Sequence, residues 1–353
     1  MFQKHQFPSA AFLWFLLPWL AIAGVTNPDI SAIGQVVGHY TNDSASAFPN
    51  KPTLALGEVE LAIDAALNPY LNGAFVLSLG TKSIEIEEAY ATVIRGLPLN
   101  IGLKAGKYRL GFGRLNQAHP HAYPFISTPN VMDPGVAKLL PGEESFNDVA
   151  VQASTLIPVW DSYSLVISGD VLQGDSFHPD TPSAHFGWLG RIVNSFMVGD
   201  NTPCEIGMSA TQGTNDPAAG TKTVVAGVDA KIKIPISPTV KSSVQGEFLY
   251  KNANHQDSLG NETVENRYGF YAFTDFQIQG HYNAGVLYEQ YQSPDNDRKI
   301  DKGIKPFIGF SLLEESTIVR LAYEHLFREG LQSVNTVELQ FLYSMGPHKA
   351  HQF

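Results

Sequence analysis

The stretch Val337-Glu338-Leu339-Gln340-Phe341-Leu342-Tyr343-Ser344-Met345 decides the fold. Its odd positions are large and apolar, and Glu338, Gln340, Leu342 and Ser344 fill the even ones. A period of two is the mark of a strand with unlike faces. Working upstream, Val319, Leu321, Tyr323 and Phe327 alternate with Arg320, Ala322, Glu324 and Arg328. Val224, Val228, Ile232 and Ile234 alternate with Asp229, Lys231 and Lys233. Val59, Leu61, Ile63 and Leu67 alternate with Glu58, Glu60 and Asp64.

A soluble sandwich alternates with its apolar face inward, whereas a transmembrane barrel alternates with that face on lipid. Three features favour the barrel. Residues 1–23 read as a secretory signal peptide, with Lys4 ahead of an apolar stretch from Ala10 to Leu20 and cleavage expected after Ala23. The alternating segments run about 10–12 residues, enough for a tilted strand to cross a bilayer. Short connections alternate with long polar ones such as TNDSASAFPNKP and PDNDRKIDKG, the loop asymmetry of outer-membrane barrels.

Sixteen strands are expected, over 30–40, 55–67, 70–80, 83–94, 98–111, 147–157, 163–174, 186–198, 205–214, 223–234, 241–254, 268–278, 282–293, 304–314, 317–328 and 333–346. One hairpin more or fewer fits the same pattern, so about 14–18 strands are compatible with it. The fold class is thus all-β: an antiparallel up-and-down transmembrane barrel forming one domain over 24–353. One helical turn is expected at Val136–Leu140, inside the longest connection.

The chain has 353 residues, 16% of them charged, and a net charge of -11. Such an acidic chain excludes a nucleic-acid-binding role. With 21 Phe, 14 Tyr and 4 Trp it has ample surface to bury, which excludes disorder. Cys204, the single cysteine, excludes an internal disulfide and a thiolate zinc site, and reads as a buried, inert thiol. No GxSxG, HExxH, Walker A or Rossmann motif appears, so no enzyme is expected.

The longest connection, from about Phe112 to Phe146, carries Phe125, Ile126, Val131, Met132, Leu139 and Leu140. These need a surface to bury against, which predicts that the segment folds into the lumen and narrows it. On strand parity the channel lining comprises Glu58, Glu60, Asp64, Glu85, Glu87, Lys104, Lys107, Arg109, Arg114, Asp229, Lys231, Lys233, Glu247, Arg320, Glu324 and Arg328. Lys104 and Lys107 have opposite parity; Gly102, Gly106 and Gly111 allow a bulge that would bring both inward. A lipid-facing lysine near mid-bilayer costs about 2–4 kcal/mol, which favours the lumen. There the basic residues of strand five are expected to pair with Glu58, Glu60, Asp64, Glu85 and Glu87, because a barrel interior commonly neutralises its own charge.

His119-Pro120-His121 can present two rings to one side of an extended backbone, as zinc, copper or nickel would require. Asp133, Glu143 and Glu144 are the nearest further ligands in sequence. The competing reading packs each ring on Tyr123 or Phe125. No resident cofactor is expected, with zinc as the alternative. His348 and His351 form a weaker pair, and the terminal Phe353 has the parity of a signal read by the barrel assembly machinery.

NPDIS (27–31), GEVELAIDAALNPY (57–70), the stretch IEEAYATVIRGLPLNIGLKAGKYRLGFGRLNQAHPHAYPF (86–125) and GPHKAHQF (346–353) resemble a porin-like outer-membrane β-barrel family similar in style to phosphate-selective porins. Some members are labelled zinc-regulated outer-membrane receptors, and His119-Pro120-His121 matches those. The resemblance implies a Gram-negative outer-membrane channel embedded in lipid. The expected function is passive diffusion of small hydrophilic solutes or ions. General porins are often trimers, which makes a homotrimer one compatible assembly, although no residue pattern identifies an interface. The alternatives are a zinc-associated uptake protein using the loop histidines, and a non-conducting structural or adhesive barrel.

Overall fold

A computed structural model of the chain describes residues 28–80, 83–178, 185–257, 259–294, 299–312 and 316–346. The signal-peptide reading, His348, His351 and Phe353 fall outside these residues. The described chain forms sixteen strands: β1 (Asp29–Thr41), β2 (Thr53–Asn68), β3 (Leu71–Leu79), β4 (Ile84–Val93), β5 (Ile101–Arg109), β6 (Asn147–Trp160), β7 (Tyr163–Leu172), β8 (Gly187–Val198), β9 (Thr202–Asp216), β10 (Thr221–Ser237), β11 (Val240–Gln256), β12 (Glu262–Ile278), β13 (Tyr282–Gln292), β14 (Ile300–Leu312), β15 (Thr317–Phe327) and β16 (Val334–Met345). Each pairs antiparallel with its neighbours in sequence, and β1 closes on β16 with Val36 opposite Phe341. Closure leaves no strand edge unpaired.

The alternation read from the sequence is the alternation of the wall. On β16, Val337, Leu339, Phe341, Tyr343 and Met345 are exposed outward, while Gln340 and Leu342 are buried inward. β10 repeats this, with Val228 and Ile234 exposed and Asp229 and Lys231 buried. Outward aromatics gather at two levels. Tyr282 and Tyr343 lie at the end of the barrel with the short turns, and Tyr250, Tyr288 and Tyr323 lie toward the end with the long connections. Two such girdles bracket the apolar band of a bilayer-spanning barrel.

Two bulges shift the phase. The β1–β2 register slips between Gly34 and Val36, so Leu54 and Leu56 point outward on one side of the slip while Glu60 points inward on the other. On β4 the slip opposite Val76 and Leu77 leaves Glu87 unpaired in the β3–β4 ladder. Glu87 and its neighbour Glu88 then both reach the lumen. A bulge re-aims side chains in this way by placing two residues against one.

Several boundaries moved. β12 begins at Glu262 and β11 runs to Gln256, so the polar stretch read as a long connection is mostly strand. The ladder continues there through pairs such as Tyr250↔Tyr268 and Asn252↔Asn266. Val136–Leu140 makes no helix; the helical turns of the longest connection are single 3-10 turns at Leu115–Gln117 and Pro120–Ala122. Cys204 is not fully buried: it is half-exposed and shares the parity of the outward Ile206 and Met208.

Candidate functional site

β5 ends at Arg109, and the chain then runs inside the barrel until β6 begins at Asn147. Gly113 makes the entry possible. It has φ +61, a conformation that favours glycine, and a Cβ there would run into the Glu247 carboxylate. Asn116 staples the neck. Its Nδ2 donates to the carbonyls of Leu110 and Phe146, each at 2.9 Å, and its Oδ1 accepts from Phe146 N at 3.0 Å.

The segment's apolar side chains pack on the lumenal wall. Phe112, Phe125, Val131, Leu139 and Phe146 join Leu172, Val225, Leu249, Leu287 and Phe307 in one buried cluster. Phe125 sits at the centre, 5.2 Å from the Phe273 ring and 5.8 Å from the Phe307 ring in edge-on geometry. The expected inward fold is therefore what the chain adopts. Much of the lumenal wall from β7 to β15 is apolar and is covered by the segment.

Polar anchors on many strands fix the segment's backbone. Glu247 on β11 accepts from Leu115 N at 2.7 Å, Arg114 N at 3.0 Å and Tyr271 Oη at 2.7 Å. Glu289 on β13 accepts from Asn130 Nδ2 at 2.7 Å and Val131 N at 3.2 Å. Arg267 on β12 donates to Ala137 O at 3.1 Å, Arg320 on β15 to His121 O at 3.4 Å, and Lys305 on β14 to Ser127 Oγ at 2.7 Å. Glu338 on β16 accepts from Ser127 Oγ at 3.0 Å. Buried polar groups are tolerated because each has such a partner.

Opposite this apolar half, the segment meets an acidic wall. His119 Nδ1 lies 3.0 Å from Glu60 Oε2 and 3.9 Å from Glu58 Oε1. His121 Nδ1 lies 3.3 Å from Glu58 Oε2 and 3.7 Å from Glu60 Oε2. His119 Nε2 faces Glu88 Oε1 at 3.1 Å. The two rings stack with centroids 5.5 Å apart and planes 24° from parallel. Burial alone would lower the His119 pKa, but the carboxylates of Glu58, Glu60 and Glu88 outweigh it and hold the imidazole well above its ordinary value. Asp133, Glu143 and Glu144, the ligands nearest in sequence, are not among the groups gathered here.

Beside the cluster lies a cavity of about 320 Å³, bounded by Ser31, Glu60, Asp64, Glu88, Lys104 and His119 among others. A recess of about 750 Å³ lies at the end of the long connections, between Leu140, His178 and Lys251. A smaller one of about 110 Å³ lies near the short turns, beside Asp275 and Arg320.

Of the residues expected to line the lumen, Arg109 pairs with Glu87 through its Nε at 3.0 Å, as the charge-pairing argument anticipated. Arg114 pairs instead with Glu205. Lys104 sits over the rings of Tyr90 and Tyr108, at 3.7 and 4.0 Å from their centroids, in a cation–π contact rather than an ion pair. Asp229 is held by Arg191, Nη1 to Oδ2 at 2.6 Å. Lys231 is buried on the same face of β10, with Lys233 half-exposed two residues on. Glu324 accepts from Asn130 Nδ2 at 3.2 Å.

Arg328 lies beyond β15, at the long-connection end, paired with Asp43 at 2.9 Å. Glu85 is exposed near the same end and accepts from Ser83 Oγ. Lys107 is a correction. The β5 ladder has no slip, pairing Lys107 with Ala89 and Val149, so its parity stays outward with Leu103. It is exposed there and donates to Ile86 O at 2.9 Å. Its position two residues from the end of β5 lets the long stem reach out of the apolar band. Glu247 is likewise buried as an anchor of the segment rather than lining open water.

Glu88, Arg191, Lys305, Glu289 and Arg267 were missed. The last four follow from strand parity once each strand is phased. Glu88 could not, because its direction depends on the β4 bulge.

No described protein family's sequence profile matches the chain. A protein of Aquifex aeolicus (strain VF5), described as uncharacterized, is 28% identical over 340 residues, covering 84% of this chain and 70% of its own. In three dimensions the chain is similar to Salmonella typhi OmpF in complex with daunomycin, with TM-score 0.62, 11% identity, and 90% of this chain and 97% of that one covered. It is also similar to an anion-selective porin from Comamonas acidovorans, with TM-score 0.60, 11% identity, and 90% and 99% covered. The architecture is thus that of the porins, in agreement with the resemblance drawn from the sequence.

Proposed function

We propose that this barrel is an outer-membrane channel for passive diffusion of small hydrophilic solutes or ions, constricted by the segment 110–146. The observation that carries the reading is the two-faced closed wall: an apolar exterior with two aromatic girdles around a lumen that holds buried charge. The likeness in fold to an anion-selective porin supports the same reading. Because the segment spans from the β2 wall to the β11–β16 wall, the path in this proposal runs through the cavity beside it and not through a wide bore. Small solutes pass and large ones are held back.

Residues around that cavity set ion preference in this proposal: Glu60, Asp64 and Glu88 against Lys104 and Arg109. Charges in a low-dielectric passage act on permeating ions strongly. The short turns face the periplasm and the long connections the exterior, as in outer-membrane barrels generally. A homotrimer belongs to the same proposal on the strength of the family resemblance, and a detergent-complex mass of one chain would remove that part alone.

Planar-bilayer recording of the refolded chain tests the proposal. Discrete ohmic steps in KCl are expected, smaller than those of the same barrel with 118–138 excised. No steps from either protein would overturn it in favour of a non-conducting structural barrel.

A further inference from the structure

We propose that Glu58, Glu60, His119 and His121 form a binding site for one divalent transition cation, which joins β2 to the lumenal segment. The site needs the segment inside the barrel but does not rest on conduction. Each of the four residues offers one ligand atom, and these atoms lie within 4.8 Å of one another. An ion held tetrahedrally at about 2.1 Å from nitrogen and oxygen ligands needs those ligands about 3.4 Å apart. Glu60 Oε2 stands 3.0 Å from His119 Nδ1 and 3.7 Å from His121 Nδ1, and Glu58 Oε2 stands 3.3 Å from His121 Nδ1, bracketing that edge.

Two further observations point to a ligand. Glu60 is 6% exposed, and neither its Oε2 nor His119 Nδ1 completes a hydrogen bond, although they face each other. Buried donor atoms left without a hydrogen bond in the midst of other candidate ligands are what a cation site requires. The far side of His119 is also prepared, since Nε2 meets Glu88 Oε1 at 3.1 Å. A metal-bound histidine characteristically donates its other N–H to such a carboxylate, which fixes the tautomer and turns the ring.

The donor set selects the ion. Two imidazoles with two carboxylates suit zinc, cobalt, nickel or copper, whereas calcium and magnesium take oxygen alone. Charge favours a cation as well. Glu58, Glu60, Glu87 and Glu88 converge here, and Arg109 engages only Glu87 among them at hydrogen-bond distance. An ion reaches the site from the adjoining cavity, which Glu60 and His119 both line. Its ligands come from two stretches some sixty residues apart, so occupancy cross-links wall and segment.

The test uses the full chain refolded in detergent, stripped with chelator and dialysed against zinc chloride, with bound metal counted by atomic emission. One zinc per chain is expected, undiminished by millimolar magnesium. Glu60→Gln and His119→Ala should abolish it, Glu88→Gln should weaken affinity about 10–100-fold, and Glu143→Gln should leave it unchanged. Cobalt(II) added to the unaltered chain should give tetrahedral absorption bands, a readout that needs no variant to fold. Zero stoichiometry, displacement by magnesium, or binding untouched by Glu60→Gln would each overturn the site. Bilayer recording of the same preparations separates the two proposals, since zinc binding by a silent barrel keeps the site and removes the channel.

Discussion

Replacing Phe125 by alanine tests whether the apolar cluster in the lumen holds the segment in place. The side chain is fully buried and touches the rings of Tyr123, Phe273 and Phe307 at 5.4, 5.2 and 5.8 Å between centroids. Truncating a buried phenylalanine costs about 3–5 kcal/mol, from lost transfer energy and the cavity left behind. Each well-placed ring pair accounts for about 0.5–1.5 kcal/mol beyond area. A loss of about 4 kcal/mol is expected here. None of it falls on the barrel ladder, because Phe125 belongs to no strand. The loss therefore lowers the free energy of detaching the segment, and every 1.4 kcal/mol is tenfold in that equilibrium.

Trypsin reads the detachment. Lys138 is exposed within the segment, but its carbonyl is held by Lys251 Nζ at 2.8 Å and its flanks Ala137 and Leu139 are buried. Cleavage there needs the segment to leave the wall, and its rate follows the open population when reclosing is fast. Phe125→Ala should speed cleavage after Lys138 by roughly 10²–10³-fold, with β-circular dichroism unchanged. Phe276→Ala, on the outward face, should change it little. A Phe125→Ala rate within threefold of the unaltered chain would refute the view that the cluster anchors the segment.

Three further outcomes follow from the geometry. Gly113→Ala should also loosen the segment, because the added methyl displaces Glu247 from Leu115 N; protection equal to that of the unaltered chain in the same trypsin assay would contradict this. Asp229→Ala should destabilise the barrel to urea by about 3–5 kcal/mol by leaving Arg191 buried without its counter-charge. Arg191→Met with Asp229→Leu should recover most of that loss, and a double variant as weak as the single one would count against the pair. Lys104→Glu should move the reversal potential in a KCl gradient toward cation selectivity, because Lys104 borders the free cavity; an unmoved potential would place the ion path elsewhere.

The site was legible only in parts. The sequence pointed to His119 and His121 as a pair, and to Glu58, Glu60 and Glu87 as inward carboxylates by parity. It did not bring the two groups together, because nothing in a period of two says where a long segment will lie within the lumen. Glu88 was invisible for a different reason. Its inward direction rests on the slip in the β3–β4 register, which alternation cannot locate. Lys107 shows the reverse error, since glycines that permit a bulge do not make one when the ladder on both sides stays in register.

By itself the sequence determined the wall. Strand direction and, wherever the ladder stays in register, side-chain facing follow from local alternation, because each side chain's face is fixed by its own backbone. Only the tertiary structure decided the interior. Which strands present Leu249, Leu287 and Phe307 to the lumen, how the segment covers them, and which carboxylates its histidines meet all depend on contacts between residues far apart in the chain. Those contacts are selected by burial of apolar surface and by partnering of buried charge, and both act on the closed barrel as a whole.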